Sequence, residues 1–347
     1  MTTPFERSRV VNEMLQGYRR AQVLIAFAAL GVGDALRSGP ATAEDLASEV
    51  DADPAALARL LNAAALLGFV ERDGDRFRPT PLTADVLTSD GQASLVNFVR
   101  REAAFYRRWG RLTEAVRTGQ RPEASESDER ESDWVRGFTL ALYDTAKIAA
   151  PGIVEALAPL LDRLGRPIRL IDIGGGHGGY SIALARRYPN LEAVVFDLPP
   201  VIAVTREIVA ATDVSDRVAT VAGDFQADPL GQGFDVALLF GVLVGEDAER
   251  SRRLLQTVRE ALRPGGLAIV RSHHAGRHGD ANLSGALFDL QMLLSTQGGG
   301  AHEREDTEEW MRAAGFTVLP PIDVPPPATG RLLVGRAPSG DRKASAG

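Results

Sequence analysis

Residues 172–179 read D-I-G-G-G-H-G-G, a carboxylate followed by five glycines among the six residues 174–179. Glycines at this density let a ligand approach the backbone closely. The pattern Ser181-Ile182-Ala183-Leu184-Ala185 then opens a helix, whose N-terminus presents unpaired N–H groups and a partial positive charge. Two spacings fit at once. Gly174, Gly176 and Gly179 satisfy G-x-G-x-x-G, the dinucleotide pattern, whereas Asp172, Gly174, Gly176 and Gly178 satisfy D-x-G-x-G-x-G. Asp172 separates them, because a carboxylate there repels a pyrophosphate and attracts an ammonium. Asp197 ends the next apolar run about twenty residues on, where a ribose-binding acid belongs. Gly223-Asp224-Phe225 offers an acceptor for an adenine amine and a ring to pack on the base. Ammonium, ribose and adenine are the parts of S-adenosylmethionine. That cofactor is expected, with Asp172, Gly174, Gly176, His177, Asp197, Leu198, Asp224, Phe225 and Phe240 around it.

The elements that must position these residues follow from periodicity. Apolar runs at 170–173, 193–196, 218–221, 236–240 and 267–270 read as strands alternating with helices, notably 248–262 and 282–294. Such alternation implies a parallel sheet covered on both faces. Asp306-Thr307-Glu308-Glu309 reads as a capping box opening a short helix that ends at Gly315. The runs 316–319 and 332–334 should pair as a hairpin on the sheet edge. Residues 1–38 are helical in pattern and too apolar to stand alone, so they need the rest of the chain or a second subunit. Residues 41–50 and 53–67 read as two helices, with Asp53 as N-cap and Pro54 at the first helical position, and 69–78 as a small hairpin. This outlines a winged helix. Its second helix offers only Arg59 to phosphates, which favours a structural or dimerisation module over DNA binding. Aromatics at helical spacing, Phe98, Phe105, Tyr106 and Trp109, then Phe138 and Tyr143, occupy the segment joining two domains, where ligand clefts form.

Composition narrows the class further. The 347 residues carry a net charge of −7 and no cysteine, which argues against a nucleic-acid partner and excludes thiolate catalysis. No apolar run suits a membrane span and no signal peptide is visible, so a cytoplasmic protein is expected. No metal is expected, since adjacent His273 and His274 would point to opposite sides of an extended segment.

Residues 169–336 resemble the catalytic domain of the class I S-adenosylmethionine-dependent methyltransferases. With the winged helix in front, the chain is similar to small-molecule O-methyltransferases of the acetylserotonin and caffeic acid type. The stretches that carry the resemblance are D-I-G-G-G-H-G-G-Y (172–180), F-D-L-P (196–199), G-D-F (223–225), L-R-P-G-G (262–266) and the region 309–316. It implies an α/β, Rossmann-like fold, with a seven-stranded, mostly parallel sheet and an antiparallel last strand. It implies a helical dimerisation domain over 1–115, a helical linker over 116–163 that lines the acceptor pocket, a catalytic domain over 164–338 and a disordered tail over 339–347. A homodimer through the N-terminal helices is implied, with a small-molecule acceptor between the domains against Phe105, Trp109, Phe138, Tyr143, Val244, Phe288 and Met292.

One departure matters. Similar enzymes carry a catalytic histidine after the fourth strand; here Val244 takes its place, followed by Gly245 and Glu246, and Arg271 replaces the family's acid after the fifth strand. Candidate bases are therefore His302, His273 and Glu303, with His274 and His278 nearby. Methyl transfer is an in-line displacement, and a base, typically worth about 10²–10⁴-fold, is needed only for a protonated nucleophile. The expected activity is O-methylation of a small aromatic or polyketide-like metabolite by proximity, with C-, N- or carboxyl methylation also open. The alternative is an enzyme that keeps S-adenosylmethionine but catalyses decarboxylation, hydroxylation or a pericyclic step.

Overall fold

The computed structural model describes residues 3–123, 131–272, 283–326, 328 and 330–339. The chain divides into two compact units, Met1–Phe105 and Tyr106–Gly347.

The first unit opens with α1 (Pro4–Gln16), α2 (Tyr18–Ala29) and α3 (Val32–Ala35). Thr3 and Glu6 form a reciprocal capping box ahead of Pro4, which starts α1. No residue of α1 is buried, and Phe5, Met14 and Leu15 stay exposed. Next come β1 (Ala41–Thr42), α4 (Ala43–Glu49), α5 (Pro54–Leu66), β2 (Val70–Asp73), β3 (Arg76–Pro79) and α6 (Pro81–Val86). The helix expected over 41–50 starts two residues late, because Ala41 and Thr42 pair with Phe77 and Arg76 before Thr42 caps α4. Asp53 caps α5 as expected, accepting from the Ala56 N–H at 2.8 Å. Phe27, Leu36, Leu46 and Leu61 close the core against Val70 and Phe77. Helix α7 (Val96–Trp109) carries the chain onward.

The second unit begins with α8 (Leu112–Thr118) and the long α9 (Glu131–Leu161). Strand and helix then alternate: β4 (Ile168–Ile173), α10 (Gly179–Arg187), β5 (Leu191–Asp197), α11 (Pro199–Ala210), β6 (Val218–Ala222), β7 (Phe234–Phe240), α12 (Ala248–Ala261) and β8 (Leu262–Arg271). After α13 (Leu283–Ser295) and α14 (Arg304–Ala313), β9 (Thr317–Val318), β10 (Ile322–Asp323) and β11 (Arg331–Arg336) finish the sheet. Helix α14 starts earlier than the 306–309 pattern suggested. Buried Glu303 is its N-cap residue, its carbonyl takes the Thr307 N–H, and Arg304 pairs with Glu308 one turn on.

The strand order is β10-β11-β8-β7-β4-β5-β6, with β9 also on β11. Strands β4 to β8 run parallel, and β11 is antiparallel to β8. The edge beyond β11 is one strand position split into β9 and β10, since Pro320 and Pro321 cannot donate to a ladder. The expected seven positions are thus filled by eight strands. Leu170, Leu238 and Ile269 face α9, α10 and α11, whereas Ile171, Leu239 and Val270 face α12 and α14. The chain runs outward from β4 through β5 and β6, then returns to β7 on β4's other side. That reversal opens a crevice at the carboxyl ends of β4 and β7. Among the described residues, no single helix is long and apolar enough to cross a membrane.

Candidate active site

The glycine loop between β4 and α10 decides between the two spacings. Gly174, Gly176 and Gly178 have φ of +59°, +51° and +66°, left-handed conformations that side chains resist. They are the glycines of D-x-G-x-G-x-G. Gly179 lacks a positive φ and is small for another reason: a Cβ there would lie 2.9 Å from His177 Nδ1 and 3.2 Å from Ala146 Cβ. At Gly174 a Cβ would come within 2.7 Å of Val242 Cγ2. The loop is therefore a cradle of bare backbone.

Asp172 stands at its head, 1% exposed. Ser181 Oγ donates to Oδ2 at 2.8 Å, while Oδ1 is buried without a hydrogen-bond partner. Burial pushes this carboxyl up to about 7, against the pull of Ser181 and with a further push from the charge of Asp197. Asp197 ends β5. Its Oδ2 accepts from Gly176 N–H at 2.8 Å and its Oδ1 from Leu198 N–H at 2.7 Å, bonds that oppose the upward push of burial on its pKa. The loop and the acid at the end of β5 thus hold each other in place.

Phe225 borders the loop, its Cε1 3.8 Å from where a Gly174 Cβ would stand. Asp224 is exposed beside it, with Oδ1 accepting from Gln226 N–H at 2.8 Å. Leu198 is exposed at the start of α11. His177 is buried, and its Nδ1 accepts from Gly179 N–H at 2.9 Å, so the proton sits on Nε2. Burial drops its pKa to about 4 and keeps it neutral at physiological pH.

A string of rings runs from His177 across the strand ends. Its centroid lies 6.1 Å from that of Tyr143 and 5.6 Å from that of Tyr180, and Tyr180 meets Phe240 edge-on at 5.0 Å. Arg271, Phe240's neighbour across the β7–β8 ladder, donates from Nη1 to Tyr180 Oη at 3.1 Å. Tyr180 and Ser181 were missed as site residues; their signal was their place in the first turn after the glycines.

The remaining acceptor candidates are spread over several elements. Trp109 Nε1 donates to Gln291 Oε1 at 2.6 Å, tying the end of α7 to α13, which carries half-buried Phe288 and Met292. Phe138 packs on Trp134 at 5.5 Å. Phe105 belongs to the first unit, where the Arg101 guanidinium lies 4.9 Å from its ring centre.

The turn after β7, a single 3-10 turn over Leu243–Gly245, buries Val244. His302 reaches this turn. Its Nε2 lies 3.0 Å from the Leu243 carbonyl and 2.9 Å from that of Glu246, while its ring meets Trp310 edge-on at 4.8 Å. A nitrogen facing two carbonyls carries the proton and donates it to them. Glu303 is buried beside it, with extended backbone at the start of α14. His273, His274 and His278 lie outside the described residues, as do residues 340–347 of the expected tail. Among the described residues, no group of three or more His, Cys, Asp or Glu could hold a metal ion.

An orphaned buried acceptor at the head of a bare-backbone cradle, with a second acid at the neighbouring strand end, fits the ammonium and ribose of S-adenosylmethionine. Residues 104–317 match the O-methyltransferase domain, and residues 12–89 match the O-methyltransferase dimerisation domain. The chain belongs to the O-methyltransferase family. It is 29% identical over 338 residues to 3-hydroxy-5-methyl-1-naphthoate 3-O-methyltransferase of Streptomyces sahachiroi, covering 94% of each chain. It is 31% identical over 321 residues to 3-amino-4-hydroxybenzoate 4-O-methyltransferase of Streptomyces cremeus, covering 90% of this chain and 86% of that one. The crystal structure of human N-acetylserotonin methyltransferase in complex with S-adenosylmethionine is similar with a TM-score of 0.83 at 25% identity, covering 96% of this chain and 98% of that one.

This O-methyltransferase is accordingly an enzyme that uses S-adenosylmethionine, and it carries the family's N-terminal dimerisation domain. Asp172, the glycine loop and Asp197 are the residues that would hold the cofactor's amino acid and ribose. The O-methyltransferase has valine where the resemblance places a base, and Arg271 where it places an acid.

Proposed function

We propose that this O-methyltransferase methylates a hydroxyl of a small aromatic metabolite that reacts as its oxyanion, held in line rather than deprotonated by a histidine. The observation that carries this reading is the turn after β7: Val244 has no proton to move, and the Nε2 proton of His302 is directed at the Leu243 and Glu246 carbonyls. His302 then positions the turn. The cofactor supplies, when bound, a methyl group already activated as a sulfonium. What the chain must add is alignment of the nucleophile within about 3–3.5 Å of the carbon it attacks.

Trp109, Phe138, Tyr143, Phe288 and Met292 are the side chains we assign to the acceptor's ring, so residues 116–163 supply one wall of the acceptor site. Arg271, held on Tyr180, provides a positive charge at the strand ends that favours an acceptor oxygen in its ionised form. Two relatives named for hydroxylated aromatic acids support the substrate class. We also assign the enzyme to the cytoplasm.

The test is a pH–rate profile for a set of hydroxyarenes whose own pKa values differ. The expected result is an acidic limb in kcat/KM that moves with the acceptor's pKa. A limb fixed at one pH for every acceptor would assign the proton to an enzyme base, with His302, Glu303 and His273 the residues to replace. Cofactor binding without methylated product from any phenol, carboxylate or amine would favour a decarboxylation, hydroxylation or pericyclic step.

A further inference from the structure

Between the end of α8 and α13 lies a cavity of about 620 Å³, within the size range of small-molecule sites. Its whole lining belongs to the second unit. Leu290 and Leu293 supply the apolar part, and Gln120, Arg121, Asp289 and Gln297 the polar part. Helical geometry sets it apart from the side chains assigned to the acceptor. Leu290 and Leu293 lie roughly half a turn of α13 from Phe288 and more than a quarter turn from Met292. The loop after α13 is the partition. Gly299 lines the cavity on one side, and on the other a Cβ there would run into the Val244 carbonyl.

The lining holds two opposite charges that the chain itself leaves under-used. Arg121 Nη1 donates to the Ser295 carbonyl at 3.3 Å, which ties the side chain to the last residue of α13, and the guanidinium makes no ion pair among the described residues. Half-buried Asp289 accepts from Ala301 N–H at 2.9 Å through Oδ1, whereas Oδ2 has no hydrogen bond or ion pair among the described residues. Arg121 and Asp289 border one cavity without pairing with each other. A guanidinium in this state suits a carboxylate, and a carboxylate partly withdrawn from water needs a donor. With Leu290 and Leu293 between them in the lining, the two charges complement a molecule that has a carboxylate, a hydrogen-bond donor and an apolar body.

We propose that this cavity is a second small-molecule site, separate from those of the cofactor and the acceptor, for a cyclic carboxylic acid that also carries an amino or hydroxyl group. Arg121 takes the carboxylate, Asp289 Oδ2 accepts from the amino or hydroxyl group, and Leu290 and Leu293 take the ring. The site is independent of which acceptor is methylated.

The experiment is titration calorimetry on the full-length protein with 3-aminobenzoate, which has the carboxylate, the ring and the donor but no hydroxyl to methylate. Benzoate lacks the donor, and 3-aminobenzamide lacks the charge. The unaltered protein should bind 3-aminobenzoate roughly tenfold more tightly than either, the scale of a hydrogen bond to a charged group. Arg121→Gln should erase the advantage over 3-aminobenzamide. Asp289→Asn, which keeps an oxygen for Ala301 N–H, should erase the advantage over benzoate. Leu293→Trp should fill the cavity and abolish binding, while Phe288→Ala and Met292→Ala on the other side of α13 should leave the affinities unchanged. Absence of binding, or equal affinity for the three compounds, would overturn the proposal. Loss of binding in Phe288→Ala and Met292→Ala with Arg121→Gln silent would place the compound among the acceptor residues and overturn it too. Arg121 is exposed, so its glutamine variant keeps the test valid if Leu293→Trp fails to fold. The acceptor's pH–rate profile is read separately, so failure here leaves the reading of Val244 standing.

Discussion

Asp235 and Asp172 are both buried in the same sheet, near its opposite ends, and their surroundings differ completely. Asp235, in the first half of β7 and 0% exposed, accepts from Arg169 N–H at 2.8 Å and pairs with Arg166 at 2.8 Å and Arg263 at 3.2 Å. Every direction around it is answered by the chain's own donors, so it closes the amino-terminal edge of the sheet. Asp172, near the carboxyl end of β4, has Ser181 on one oxygen and nothing on the other. A protein does not bury a half-satisfied carboxylate for stability, because the unmet oxygen costs free energy that folding alone cannot recover. We assign the deficit at Asp172 to a ligand. On that assignment the contrast separates the end of the sheet that serves the fold from the end that would serve the cofactor.

Replacing each acid by a neutral residue tests that contrast most directly. Asp235→Ala should cost about 2–4 kcal/mol, less than a wholly buried pair because both arginines are partly exposed. The thermal midpoint should drop by roughly 5–15 °C, with S-adenosylhomocysteine affinity of the folded fraction retained. Asp172→Asn should do the reverse: affinity for that ligand falls by roughly 10–100-fold while the midpoint holds or rises, since a neutral amide is cheaper to bury. A variant that lost both properties, or a midpoint unmoved by Asp235→Ala, would break the comparison.

The same difference should appear as a pH dependence. The Asp172 carboxyl is raised from an ordinary 3.8 to about 7, so its contribution to the ligand-free protein is fully present below about pH 4. That contribution is lost as pH rises through 7. An ammonium beside Oδ1 favours the ionised form, so S-adenosylhomocysteine should bind more tightly from pH 6 to pH 8 and should release protons on binding. Calorimetry in buffers of different ionisation heat reads this release, which Asp172→Asn should abolish. His177 adds the opposite sign, since its pKa is lowered to about 4. Its contribution is present above about pH 6.5 and lost as pH falls through 4.

The smallest effect is expected at His302. His302→Asn should lower the midpoint by the worth of one or two hydrogen bonds, about 1–2 kcal/mol, and leave the shape of the pH–rate profile unchanged. Loss of turnover together with loss of the acidic limb would make His302 the base and overturn the reading of the β7 turn.

Much of this was legible in one dimension. The order of strands and helices follows from local periodicity, which a parallel sheet records because each strand is buried on both faces. Asp172 and its glycines are contiguous, and their backbone requirement is local: only glycine takes φ near +60° at positions 174, 176 and 178 without strain. Asp197 was visible because one strand–helix–strand unit has a nearly constant length. The first two residues of α14 and the short β1 were misjudged, since both boundaries depend on partners elsewhere: Glu303's burial in one case and Phe77 and Arg76 in the other.

The sequence by itself therefore determined the sheet, the glycine cradle and the cofactor, all of which are built from neighbours in the chain. Only the tertiary structure decided what surrounds them. Tyr180 meets Arg271 across 91 residues, His302 reaches the Glu246 carbonyl across 56, and Arg169 meets Asp235 across 66. None of these pairs has a spacing rule, because each depends on which strands lie side by side and which loops return over them. At Val244 the sequence puts a valine where the resemblance places a base, and the fold brings His302 to the backbone of the same turn.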